Sequence, residues 1–277
     1  METFVIVAYC SSDVARKKLK IKDNDQTNVG VAQIMTTCIV AAKYFGGNHA
    51  LAQEFLYEHN YFHYRLSASQ FNRRFHRIPE AFYEELITCF GNYAKMANES
   101  YEFAIDSFPI QACDNIRIQR SKLFDPKQYR GMVASKRRYF FGVRVHMIAT
   151  TNHLPVEFKI LPGAVNDVRG AKMLNFDLPA GSIVYGDKIY GDYRMEIELK
   201  RTRKIQLAAI RKKNSLRQRD PREEFLIRRK RKPIETLFSL ITKLIPKSIH
   251  AVTANGFFKK VFCFVLAYCI SKYRVTT

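Results

Sequence analysis

From residue 101 onward, apolar residues stop recurring at helical spacing and fall into short runs that alternate with amphipathic stretches. Tyr101 to Ile110, Tyr139 to Thr150 and Val156 to Leu161 read as strands. Thr151-Asn152-His153-Leu154-Pro155 is a turn that joins the last two in a hairpin. Asn166 and Asp167 cap a helix running to Leu174, and Ser182 to Tyr185 is a short buried strand. A helix over Tyr193 to Lys204, a strand over Ile205 to Ile210 and helices over Glu223 to Leu244 and Asn255 to Ser271 complete the chain. Three consecutive strands followed by strand and helix in alternation restrict the fold to a mixed sheet with helices packed on it.

The first hundred residues carry a different pattern. Val29 to Phe45 has apolar residues at helical spacing and stops at Gly46-Gly47, and Asn48 to His59 reads as a second helix. Ser67-Ala68-Ser69-Gln70 has the spacing of a capping box, which predicts a helix through Arg77. Pro79 suits the first turn of another helix, to about Asn98. On the helix begun at Ser67, Phe71 and Phe75 share the inner face. Gln70, Asn72, Arg73, Arg74 and His76 lie on the outer face, and these residue types reach base edges and phosphates when a helix enters a major groove. Residues 1–100 are therefore expected to form an all-helical DNA-binding domain. Residues 101–277 are expected to form an α/β domain with the element succession of a ribonuclease H-like fold. That domain has a mixed five-stranded sheet and a basic insertion at about 113–138.

Forty-six Lys and Arg against 25 Asp and Glu give a net charge of +21, which calls for a polyanionic partner. No segment reads as approaching the roughly 20 apolar residues that span a bilayer; Val261 to Ile270 is the longest candidate, so no membrane partner is expected. Phe4 to Cys10 lacks the flanks of a signal peptide and reads as buried structure. Six cysteines without paired CxxC spacing read as reduced core residues. That predicts a cytoplasmic protein, associated with the nucleoid. Nothing resembles a phosphate-cradling Gly-rich loop or a nucleophile triad, and no small-molecule substrate is expected.

Three acids occupy positions suited to a metal site. Asp106 lies on the first strand, Asp187 just past the fourth and Glu235 on the helix after the fifth. In a ribonuclease H-like sheet the first and fourth strands are neighbours. Three carboxylates so placed can hold two hard divalent cations, Mg²⁺ with Mn²⁺ as a substitute, which promote in-line phosphodiester cleavage. Asp167 reads as a helix cap, Asp192 as a residue beyond a strand end, and His146 as a hydrogen-bonded core histidine. Asp114 would require the first strand to continue past Pro109. Fifteen Lys or Arg against three acids between Lys200 and Lys232 supply +12 of the +21 and lead directly into Glu235. Phosphate contacts are expected from Arg211, Lys212, Lys213, Arg228, Arg231 and Lys232. Lys136, Arg137 and Arg138 in the insertion and Lys188 beside Asp187 join that set.

Ile105-Asp106-Ser107, Cys113-Asp114-Asn115-Ile116-Arg117, Tyr185-Gly186-Asp187-Lys188, Ile234-Glu235-Thr236 and Pro246-Lys247-Ser248-Ile249-His250-Ala251 together resemble bacterial insertion-sequence transposases of the DDE type. The likeness extends to Tyr44-Phe45-Gly46-Gly47-Asn48 and Phe71-Asn72-Arg73-Arg74. It implies that Asp106, Asp187 and Glu235 form a metal-binding triad. It further implies cutting at the inverted repeats that end the element and joining of those double-stranded ends to target DNA, by a homodimer or larger assembly. Many such enzymes carry a tyrosine, arginine, glutamate and lysine signature around the third acid. Arg231 matches it, Arg228 stands at the tyrosine position, and Thr242 stands at the lysine position with Lys243 one residue on. Two further readings are a transposon-derived DNA-binding protein without catalysis and a ribonuclease H-like nuclease without strand transfer.

Overall fold

A computed structural model of the chain describes residues 1–23, 27–133 and 137–273. Lys136 lies outside the described residues. The structure divides into two compact units, one of residues 1–90 and 240–277 and the other of residues 91–239. The division falls after residues 90 and 239, whereas the sequence led to a single boundary at residue 100. The last 38 residues, 240–277, cluster with the N-terminal helices.

In the helical unit, α1 (Glu2–Lys18), α2 (Val31–Tyr44), α3 (His49–Glu58), α4 (Ala68–Arg77) and the start of α5 (Glu80–Met96) precede the C-terminal helix. The helix α2 is buried on nearly every side, as befits the centre of a bundle, with α1, α3, α4 and the C-terminal helix around it. It stops where expected. Gly46 and Gly47 have φ of +56° and +83°, a conformation costly for residues with a Cβ, and the Gly47 amide donates to the Ala41 carbonyl at 2.8 Å. The capping box at Ser67 forms, with the Gln70 side chain accepting from the Ser67 amide at 3.1 Å. Gln70 is thereby engaged at the helix start and is not free to read bases, whereas Asn72, Arg73 and His76 are exposed.

Three cysteines, Cys38, Cys263 and Cys269, are buried, but Cys10 and Cys89 are exposed, so the expectation of core cysteines holds for only part of the set. The segment Phe4 to Cys10 belongs to α1. Its Phe4, Val5 and Ala8 are buried while Ile6 and Tyr9 face outward.

The C-terminal helix, α10 (Ala254–Lys272), is longer and more continuously apolar than its sequence suggested. Its 19 residues pass, by length and composition, as able to cross a membrane. Within this unit 67% of its apolar window is covered, because it packs on α1 and α2. The helix interior even holds a lysine. Lys259, 4% exposed, donates to the carbonyls of Phe75, His76 and Ile78 at 3.3, 2.6 and 2.8 Å. These carbonyls lie at the C-terminus of α4, where helix carbonyls run short of amide partners, and the Phe75 carbonyl also accepts the Ile78 amide, so the ammonium closes α4.

The second unit is built on a six-stranded sheet of order β2-β3-β1-β5-β6, with β4 also on β3. Its strands are β1 (Glu102–Cys113), β2 (Arg130–Val133), β3 (Arg138–Thr150), β4 (Pro155–Pro162), β5 (Ile183–Gly186) and β6 (Gln206–Ala209). The sixth strand, absent from the sequence reading, is β2. It comes from the insertion and pairs with the start of β3. The insertion also contains a 3₁₀ turn, Asn115–Arg120, and the short helix α6, Pro126–Tyr129. Around the sheet stand α7 (Asp167–Ala171), α8 (Tyr193–Arg203) and α9 (Pro221–Thr242).

Pro109 does not end β1. The strand pairs with β5 only over Glu102 to Ala104 and with β3 along its length. Beyond Ala104 only β3 flanks it, and a residue without an amide proton is tolerated where one edge is free. Phe103, Ile105, Ile148, Val184 and Leu207 from β1, β3, β5 and β6 meet Met195, Leu199 and Leu174 in the core.

Candidate active site

Neighbouring strands carry the first two acids. Glu102, Phe103 and Ala104 pair in parallel with Ile183, Val184 and Tyr185; the pairing stops two residues before Asp106 and Asp187, which remain near enough for the Asp187 charge to raise the Asp106 pKa. Asp187 caps the 3₁₀ turn Lys188–Tyr190, its Oδ1 accepting from the Lys188 amide at 2.7 Å.

The third acid arrives through packing of α9. Ile227, Ile234, Leu237 and Phe238 are its buried stripe, and Phe238 meets Phe108 of β1 with ring centroids 4.5 Å apart. Lys230 of α9 pairs with Glu102 of β1 at 2.6 Å. Between those contacts, Arg231 donates from Nη1 to Asp106 Oδ2 at 2.7 Å and from Nη2 to Glu235 Oε1 at 2.6 Å. One guanidinium thus joins two of the three acids. Glu235 lies well past the first turn of α9, so the helix dipole does not explain it.

Asp106 is a strongly perturbed acid. Burial raises its pKa to about 6, outweighing the Ser107 amide and the Arg231 guanidinium, which favour the carboxylate; Asp167 and Asp187 push the pKa up further. Local positive charge therefore undercompensates the buried carboxylate. Among the described residues no three His, Cys, Asp or Glu side chains are arranged to ligate one ion. The donor chemistry nevertheless fits a hard divalent cation, because Asp106, Asp187 and Glu235 offer only oxygen. Added positive charge beside Asp106 would relieve its burial cost.

The basic residues separate into free and engaged groups. Arg73, Arg137, Arg138, Lys188, Lys212, Lys213 and Lys232 are exposed. Arg228 is exposed, 3.4 Å from Glu224. Arg74 is half-buried and donates to the Thr27 hydroxyl at 3.1 Å. Arg231 is held between Asp106 and Glu235. Arg211 departs further: its side chain is 7% exposed and bound through both terminal nitrogens to Glu196, the second at 2.7 Å. It also lies over the Tyr193 ring. Arg211 therefore fastens β6 to α8, and a count of basic residues along the chain could not separate it from its exposed neighbours Lys212 and Lys213.

Sequence reasoning also missed a polar cluster behind Asp106. Asn166, not Asp167, caps α7, its Oδ1 accepting from the Arg169 amide. The Asp167 carboxylate instead accepts from the Ser107 hydroxyl and pairs with Arg144 at 3.3 Å. His146 is buried as expected, but neither ring nitrogen has a hydrogen-bond partner among the described residues. Burial lowers its pKa to about 4, which leaves a neutral ring. The ring lies so close to Gly170 that a Cβ there would come within 2.2 Å of it. Asp192 caps α8 and pairs with Lys172 at 2.7 Å. Asp114 follows β1, which does run past Pro109, and begins the 3₁₀ turn.

Comparisons with curated proteins and with solved structures gave no match. A comparison with protein families matches residues 97–251 to the transposase DDE domain, more than half of the chain and a span that includes Asp106, Asp187 and Glu235. On that match, with its mixed α/β sheet, the chain belongs to the DDE transposase family.

Proposed function

We propose that this chain is an active DNA transposase that cuts at the inverted repeats of its own element and transfers the ends to target DNA. The observation that carries this reading is the convergence of Asp106 and Glu235 on Arg231, with Asp187 near enough for its charge to raise the Asp106 pKa. Acids from distant parts of the chain meet here at a cost in buried charge, as functional sites do and ordinary surfaces do not.

Asp106, Asp187 and Glu235 would hold two Mg²⁺ ions, with Mn²⁺ as a substitute. When bound, the ions supply nucleophile activation and stabilisation of the leaving oxygen. Asp106 accepts the Ser107 amide on Oδ1, which fixes its carboxylate relative to β1 and leaves Oδ2 towards α9. Glu235 is exposed on α9, where it can meet a phosphodiester. Lys232 on α9, Lys188 beside Asp187, and Lys212 and Lys213 after β6 are exposed cations suited to phosphates on either side of the scissile bond. Arg73 on the exposed face of α4 is assigned to the terminal repeat.

The test is incubation of purified protein with Mg²⁺ and a labelled fragment bearing the flanking inverted repeats. Joined product is the expected result. Cleavage without joining would reduce the function to a nuclease, and binding without either would make the chain a regulator. An Asp106→Asn variant that cuts as well as the parent would refute the site.

A further inference from the structure

The cluster behind Asp106 has no role in the function proposed above. Ser107 is in contact with both sides. Its amide donates to Asp106 Oδ1 at 2.8 Å, and its hydroxyl donates to Asp167. Arg144, 8% exposed, closes the arrangement. Its Nη1 lies 3.2 Å from the Ser107 hydroxyl and 3.3 Å from Asp167, while Nη2 donates to the Met132 carbonyl at 2.8 Å. These four contacts join β1, β2, β3 and α7 at the residue next to the proposed metal ligand. Asp106 needs such a restraint, because β1 has lost its β5 partner by that point and only β3 flanks it.

We propose that Asp167 is a positioning residue that, with Arg144, holds Ser107 and thereby sets the orientation of the Asp106 carboxylate for metal binding. A buried ion pair of this kind adds little net stability. A ligand held by hydrogen-bonded groups behind it, by contrast, binds its ion in a preset geometry. Asp167 is held by Arg144 and Ser107 and contacts no reacting atom, so its effect passes through Ser107.

The inference rests on the metal-binding reading, and the experiment separates the two. Mn²⁺ binding to the full chain is measured by titration calorimetry without DNA, for the parent and for Asp106→Asn, Asp167→Asn, Ser107→Ala, the Asp167→Asn/Ser107→Ala double variant, Ser107→Thr and Asp192→Asn. The expected result is a Kd about tenfold weaker for Asp167→Asn and for Ser107→Ala, the size typical of groups that hold a metal ligand. The double variant should be no weaker than either single one, Ser107→Thr should restore binding, and Asp192→Asn should bind like the parent.

Parental affinity in Asp167→Asn or in Ser107→Ala overturns the positioning role. Losses that multiply in the double variant, failed rescue by Ser107→Thr, or an equal loss in Asp192→Asn overturn it as well. If Asp106→Asn binds Mn²⁺ as the parent does, the metal site itself falls. Ser107→Ala keeps the test decisive should Asp167→Asn fold poorly, since it removes one hydroxyl and leaves the Arg144–Asp167 pair intact.

Discussion

Asp106→Asn should stabilise the protein near neutral pH and leave it unchanged in acid. Burial raises the folded-state pKa of Asp106 from 3.8 to about 6, so between those values the folded chain binds a proton that the unfolded chain does not. Stability from this group is then fully present below pH 3.8 and falls as pH rises through 6. At roughly 1.36 kcal/mol per unit the loss is about 3 kcal/mol. Asparagine matches the neutral acid in shape and cannot lose that amount. His146 complicates the parental profile alone. Its folded-state pKa is lowered to about 4, so its contribution is present above 6.5 and lost as pH falls towards 4, opposite in sign to that of Asp106.

The difference between variant and parent cancels His146. Urea melts in a chelating buffer should show Asp106→Asn ahead by about 3 kcal/mol near pH 7.5 and level near pH 4. In thermal melts this corresponds to roughly 6–12 °C at about 2–4 °C per kcal/mol. A variant less stable than the parent near pH 7.5 would mean that Arg231 more than offsets burial. An equal gap at both pH values would mean that ionisation is not the cause. Either result refutes the electrostatic account.

Other outcomes follow from single contacts. Lys259→Met should cost about 2 kcal/mol in urea melts, the scale of charged hydrogen bonds left unmade at the end of α4; a change below about 0.5 kcal/mol would show that water replaces the ammonium there. Phe75→Ala, which removes a ring 1% exposed, should cost about 3–5 kcal/mol by the same measurement. Substituting both Lys212 and Lys213 by alanine should reduce the salt dependence of DNA binding by about 1.8 in log–log slope if each meets a phosphate. Arg211→Ala should leave that slope unchanged and destabilise the fold by about 2 kcal/mol, because the half-buried Glu196 loses its charged hydrogen-bond partner. A slope change of about 0.9 would place Arg211 on a phosphate.

Elements governed by local chemistry were legible from the residues. The Ser67 to Gln70 spacing marked the start of α4, Gly46-Gly47 marked the end of α2, and apolar runs located the strands within a few residues. The errors have identifiable causes. The first strand was ended at Ile110, three residues short of Cys113, because Pro109 counts against continuation only when both edges are paired, and the pairing of β1 is not local information. The insertion hid β2, because four residues paired to one end of β3 carry too little periodicity to register. Asp167 read as a cap because it adjoins the true cap, Asn166, and its partner Ser107 is sixty positions away in sequence.

By itself the sequence determined where most helices and strands lie, that the molecule is strongly basic, and that one acid lies on the first strand, one past the fourth and one on a late helix. Each of these depends on neighbours within a turn or two of chain, or on composition alone. Only the tertiary structure decided what faces those acids: Arg231 between Asp106 and Glu235, the Asp167 and Arg144 pair behind Ser107, and the withdrawal of Arg211 from the basic surface. Such contacts bridge up to 125 positions in sequence. Their strength depends on burial, which sets the local dielectric and exists only once the sheet and helices have packed.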